Sequence, residues 1–145
     1  MLKEQFGDVL AEFGASVGQS LALDEDGVST FTVDDEVLVS LTYLDESDVV
    51  VLFSPVGGFG GVDGPDAGEK ALELLRMNDL GGETEGFTLA LDEDADIVLA
   101  LDRRSPLEIS SSDALAAWVD SLVRAVRAVR ERFAARWPVE EEGRA

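Results

Sequence analysis

The sequence predicts an α+β domain in which one antiparallel sheet of about five strands packs with three helices, in the order α-β-β-β-α-β-β-α. Three observations lead to it. Apolar residues recur at helical spacing near both ends of the chain. Between them lie short β-branched runs joined by acidic turns. The stretch Glu69 to Leu101, EKALELLRMNDLGGETEGFTLALDEDADIVLAL, then carries a capped helix, an Asn-Asp-Leu-Gly-Gly break and two short alternating strands.

The first helix rests on Leu2, Phe6, Val9, Leu10, Phe13 and Val17, and should loosen near Gly14 and Gly18. Val28 to Val33 (VSTFTV) is rich in β-branched residues and reads as a strand. Val37 to Leu44 (VLVSLTYL) puts Val37, Val39, Leu41 and Tyr43 on one face, and Val49 to Ser54 is a run of central-strand type. Acidic turns at Asp34-Asp35-Glu36 and Asp45 to Asp48 make these three strands an antiparallel meander. Pro55 to Gly68 reads as a flexible glycine-rich connector. Asp66, with Glu69 three residues on, has the pattern of a capping box for the second helix. Phe87 to Leu91 and Ile97 to Leu101 form a hairpin around the turn Asp92 to Asp96. Ser110 to Asp113 caps a long last helix, from about Ala114 to Ala135, whose apolar side is Leu115, Trp118, Val119, Leu122, Val126, Val129 and Phe133. Residues 1–138 are thus expected to form a single domain, with 139–145 a disordered acidic tail.

The second helix has more apolar surface than one stripe requires. Leu72, Leu74, Leu75 and Met77, with Ala71, cover well over half of its circumference. A helix on a small domain shows one apolar stripe, so a second stripe must bury itself against something else. One face should sit on the chain's own sheet and the other on a second copy, which makes Leu72, Leu74, Leu75 and Met77 the expected dimer interface. On this reading Leu74→Asp should yield monomer.

Composition narrows the chemistry. The chain has 31 acidic residues against 11 basic ones, a net charge of -20, which disfavours nucleic acid and anionic membrane as partners. Met1 to Asp102 holds only Lys3, Lys70 and Arg76 as basic residues, so the sheet-forming part carries the negative charge. Solubility, a high-salt host and attraction of basic segments all remain open as its purpose. With no cysteine and no histidine there is no disulfide, no thiolate or imidazole metal site and no histidine-based triad. The N-terminus lacks an apolar core of signal-peptide type, and the longest strongly apolar run, Val49 to Phe53, is too short to span a bilayer. A soluble cytoplasmic protein without cofactor or metal is expected.

The local motifs read as structure. The glycine run at 57–68 lacks the Lys-Ser/Thr of a phosphate loop and the βαβ context of a dinucleotide fold. Asp92, Asp94 and Asp96 have the opening spacing of a calcium loop, but Ile97 and Arg103 stand where glycine and a bidentate glutamate are needed. Paired carboxylates for glycoside chemistry would lack an aromatic platform, and no enzyme is expected. Arg124, Arg127, Arg130, Arg132 and Arg136 spread too widely around their helix for a phosphate site. They suit charges that snorkel along a buried helix to the sheet's acids.

The element order, the acidity and LELLRMNDLGGETEGFTLALDEDADIVLAL at 72–101 together resemble the class I chaperones of bacterial type III secretion, the Tir-chaperone (CesT-like) family. The stretch is similar to that family's leucine-rich helix, its Asn-Leu-like break, its Gly-x-x-Thr-x-Gly-x-x-Leu-Ala strand start and its hairpin. Leu107 before the serine-rich cap and the long helix ending near Trp137 extend the likeness over nearly the whole chain. The connector at 57–68 is longer than the family pattern. The resemblance implies a secretion-chaperone-like fold and a homodimer joined around the second helix. It also implies binding of the N-terminal segment of a secreted effector, kept unfolded and secretion-competent, through apolar grooves and an exposed strand edge. Phe6, Phe31 and Val33 are the candidate effector-binding residues. The alternative is a YbjN-like regulatory or binding module of related fold, not tied to secretion.

Overall fold

The computed structural model describes residues 2–79 and 82–138; the expected acidic tail, and Leu80 and Gly81 of the central break, lie outside them. Helix α1 is Leu2–Ser16, followed by strands β1 Val28–Val33, β2 Val37–Leu44 and β3 Val49–Gly58. Helix α2 is Ala67–Met77, strands β4 and β5 are Thr88–Asp92 and Ile97–Arg104, and helix α3 is Ser112–Arg136. A short 3₁₀ helix, Pro106–Ile109, was not expected; Pro106 starts it and the Ser105 hydroxyl accepts from Leu107 N–H. The five strands form one antiparallel sheet in the order β1-β2-β3-β5-β4. The predicted fold class and element order are those observed.

Helices α1 and α3 share one sheet face, and the core lies between. Phe6, Leu10 and Phe13 recur at four and three residues along α1 and are buried. Val17, expected to continue that stripe, is half exposed because the chain turns at Gly14, whose carbonyl accepts from both Val17 and Gln19 N–H. A Cβ at Gly14 would lie 2.7 Å from the Gln19 carbonyl, so glycine is what lets the chain fold back there. Val37, Val39, Leu41 and Tyr43 of β2 all face the core, as their alternation requires. The Tyr43 hydroxyl donates to Asp48 at 2.6 Å; burial first, and then Asp48, pushes its pKa up to about 12. On α3 the predicted face is the buried one, with Phe133 partly covered. Trp118 is 1% exposed, its indole N–H donates to Asp102 at 3.0 Å, and Arg104 lies 5.0 Å from its ring centroid.

Two local readings are corrected. The glycine-rich connector starts later and is pinned. β3 runs on through Pro55 with a register shift between Pro55 and Gly57, and past Phe53 it pairs with β5 alone, where a residue lacking an N–H is tolerated. Gly60 and Gly61, at φ of +95° and +85°, then donate their N–H groups to the Asp96 carboxylate at 3.1 and 2.7 Å. That carboxylate is the member of the Asp92-Asp94-Asp96 cluster that ties the connector to the β4–β5 turn. The capping box also does not form. Asp66 sits at φ −113°, ψ 18°, away from the extended conformation a capping side chain needs, and makes no cap hydrogen bond. Ser111, at φ −139°, ψ 158°, does cap α3 by accepting from Ala114 N–H.

The β1–β2 turn offers a simple test. Asp34 and Asp35 both have positive φ, 54° and 56°, the pattern of a type I′ turn. Asp34 pairs with Arg127, whereas Asp35 carries only the backbone cost. Asp35→Gly is expected to stabilise the protein by about 0.5 kcal/mol, read as a higher urea midpoint with unchanged slope.

Candidate functional site

Three surfaces stand out on this scaffold. The first is a groove between α1 and the 3₁₀ helix, a cavity of about 290 Å³ lined by Leu2, Phe6, Val9, Pro106, Leu107 and Ile109. Phe6 is 2% exposed, stacks 6.0 Å from Tyr43 and forms the floor, while Leu107, 68% exposed, stands at the rim. Of the other two candidate binding residues, Phe31 is buried against Phe13 with rings 5.8 Å apart, and Val33 is partly covered at the end of β1. The structure therefore brings Phe6 to a groove but does not gather the three residues into one surface.

The second surface is a sheet edge, and the two edges differ. On β1, the N–H of Val28 donates to the Asp24 carboxylate and its carbonyl accepts from Asp24 N–H, so Val28 turns its backbone away from β2. Alternation gives Thr30 and Thr32 the same orientation, with their N–H and C=O groups directed outward from the sheet. On β4, the equivalent groups of Leu89 are already taken. The Asn78 side-chain amide accepts from Leu89 N–H at 2.7 Å and donates to its carbonyl at 3.1 Å, standing in for a neighbouring strand. Asn78 was visible in the sequence as part of the break after α2, but nothing in its spacing revealed this task.

The third surface is apolar. The sheet face opposite α1 and α3 carries Val51, Phe53, Leu99 and Leu101, all partly exposed, with Leu38 and Leu44 at 43% and 37% exposure. Beside β4, α2 divides its apolar residues as two stripes: Leu74 and Met77 are buried, whereas Leu72 and Leu75 are 52% and 67% exposed.

Helix α2 is held against α3 by charge. Glu73 is 4% exposed and accepts from Arg132 and, at 3.0 Å, from Arg136; Arg132 also binds Glu83. The Arg132 hydrogen bond, reinforced by Arg136, outweighs burial and holds the Glu73 carboxyl below the usual carboxylate range. Arg124 grips Glu85 through two hydrogen bonds of 2.8 and 2.9 Å, and Arg127 reaches Asp34 and Glu36. Arg124, Arg127, Arg132 and Arg136 thus pair with acids as expected, but the acids stand on turns and on α2 rather than in the strands, and Arg130 donates to backbone carbonyls instead. Because Glu73 titrates lower in the folded state, the unfolded chain binds more protons in acid. Its stabilisation is complete above the ordinary value of 4.5 and is lost as pH falls through the folded value. Glu73→Gln is expected to cost about 2 kcal/mol near neutral pH, and urea titrations should show the gap from the parent narrowing at pH ~3.

No helix among the described residues is long and apolar enough to cross a membrane. Residues 8–130 match the Tir chaperone protein (CesT) family. No curated protein sequence matches the chain. Among solved structures, it is similar to a chain of the HopA1-SchA chaperone-effector complex, at TM-score 0.72 and 21% identity over 89% of this chain and 95% of that one. A chain of the ExsC-ExsE complex gives 0.71 and 20%, covering 89% and 93%. The structure of the Yersinia pestis type III secretion chaperone SycH with a stable fragment of YscM2 gives 0.64 and 24%, covering 86% and 98%. These likenesses establish a shared fold, and the match over 8–130 goes further: the chain belongs to the Tir chaperone protein (CesT) family.

Proposed function

We propose that the protein is a dimeric cytoplasmic chaperone that binds the N-terminal segment of a type III secretion effector and keeps it extended and secretion-competent. Family membership over residues 8–130 carries the reading, and the exposed surfaces support it. An extended client can add a strand to β1 at Thr30 and Thr32 while inserting an apolar side chain over Phe6 and beside Leu107. Main-chain pairing on an edge is tolerant of sequence; the groove adds selectivity. A second copy would cover Leu72 and Leu75, with Leu74 and Met77 supporting them from the protomer's own core, and extend toward the open sheet face. The charge of -20 keeps such patch-bearing particles apart in solution. No catalytic role and no cofactor form part of this reading.

The test is capture from lysate of the protein's own organism, grown under secretion-inducing conditions, with the chain and its Thr30→Pro variant as parallel baits. Proline at Thr30 removes an outward N–H, which an edge strand tolerates. Mass spectrometry should recover one or two secreted proteins, retained through their N-terminal segments, with the wild type and about tenfold less with the variant. Circular dichroism of the two baits should coincide. Recovery of no secreted protein by the wild type would overturn the reading, and equal recovery by a folded variant would remove the β1 edge from it.

A further inference from the structure

At the opposite end of β5 from the α1 groove lies a second cavity, of about 220 Å³, between the end of α3, the bulged end of β3 and the start of α2. Its apolar lining is Val56, Val98, Val129, Phe133 and Trp137, and two cations, Lys70 and Arg130, complete it. Gly57 contributes empty space. It pairs with Val98 across the strands and so shares that residue's face, and a Cβ built on it would meet nothing within 4 Å.

The two cations are treated differently from their neighbours. Arg76, Arg104, Arg124, Arg127, Arg132 and Arg136 each pair with a carboxylate. Among the described residues, Lys70 and Arg130 are held by carbonyls and rings instead. Lys70 Nζ donates to the Phe59 carbonyl at 2.8 Å and lies 5.9 and 5.8 Å from the Phe59 and Trp137 rings. Arg130 donates to the carbonyls of Val56, Glu36 and Pro55 at 2.8, 3.0 and 3.4 Å. Carbonyls orient a cation without neutralising it. In a chain with 31 acidic residues, two cations with no carboxylate partner among the described residues border an apolar cavity.

We propose that this cavity binds a small aryl monocarboxylate. An apolar cavity of about 150 Å³ accepts benzene, so this one has room for a ring and a short arm. The ring would lie on Val56, Val98 and Phe133. The carboxylate would accept from the donors that Lys70 and Arg130 keep free, in charge-assisted hydrogen bonds. A single negative charge suits the setting, because a chain of net charge -20 repels a dianion more strongly. The site is independent of the client-binding reading, and its test needs no client.

The experiment titrates the full chain with phenylpropionate, its neutral amide phenylpropionamide, and phenethylamine, by calorimetry and by tryptophan fluorescence, since Trp137 borders the cavity. Saturable one-to-one binding of the acid is expected, with the amide weaker by about tenfold or more and the amine silent. Gly57→Leu, at a position where any residue fits the backbone, should fill the cavity and abolish binding. Lys70→Gln should weaken the acid and leave the amide unchanged, which a general loss of structure would not do. Equal affinity for acid and amide, unaltered binding by Gly57→Leu, or no saturable binding of the acid would overturn the proposal.

Discussion

Replacing Trp118 by alanine is expected to destabilise the protein by about 4 kcal/mol, the upper range for truncating a buried aromatic. Trp118 is 1% exposed in the second turn of α3 and belongs to the core cluster that α3 seals against the sheet. Its loss removes the largest fully buried side chain and leaves a cavity that neighbouring valines cannot fill without moving the backbone. It also removes the indole donor to Asp102, a partly buried carboxylate at the end of β5. Trp118→Phe separates the two effects, because it keeps most of the ring volume and drops the donor; a loss of about 1.5 kcal/mol is expected, Arg104 remaining within reach of Asp102. Urea unfolding at one fixed protein concentration measures both, since any self-association makes apparent stability depend on concentration. A loss below about 1.5 kcal/mol for the alanine variant would mean that α3 is not the main cover of the core.

Leu72→Asp combined with Leu75→Asp is expected to convert a dimer to monomer, raising the dissociation constant about a hundredfold or more. Both side chains project from α2 away from the protomer core, so the protomer's own unfolding should shift by no more than about 0.5 kcal/mol. Light scattering after size exclusion reads the mass directly. The contrast with Leu74→Asp is informative. At 8% exposure Leu74 lies in the core cluster, so a carboxylate there would damage the fold as well as any interface and would give an ambiguous result. A dimer mass that survives the double substitution would place self-association elsewhere, with the face of Phe53 and Leu101 the next to substitute.

Much of this molecule was legible from residue order. The three meander strands begin where β-branched runs begin, and the α3 face from Leu115 to Phe133 is the one buried. Legibility failed where long-range hydrogen bonds override local signals. The glycine connector looked flexible because its partner, Asp96, is some thirty-five residues away. The Asp66 capping box had the right spacing but the wrong backbone angles, which no spacing reports. Phe6, Phe31 and Val33 follow from their apolarity on the elements where the resemblance implies grooves, and apolarity does not separate a groove floor from a core residue. The open sheet face did have a signal: β3 and β5 are apolar on both sides, as strands covered on both faces are, although α1 and α3 cover only one.

Asn78 has a consequence for how far the sheet can grow. A sheet with two receptive edges is a repeating unit, since each copy can offer one edge to the next and the chain of copies need never close. Here the amide of Asn78 occupies Leu89 near the start of β4, while β1 stays receptive at Thr30 and Thr32. Propagation through β4 is then hindered at Leu89. An incoming strand, whatever its origin, caps the protomer, and two copies meeting edge to edge through β1 form a closed pair and not a filament. A single side chain at the far edge thus makes the two edges of the sheet unequal.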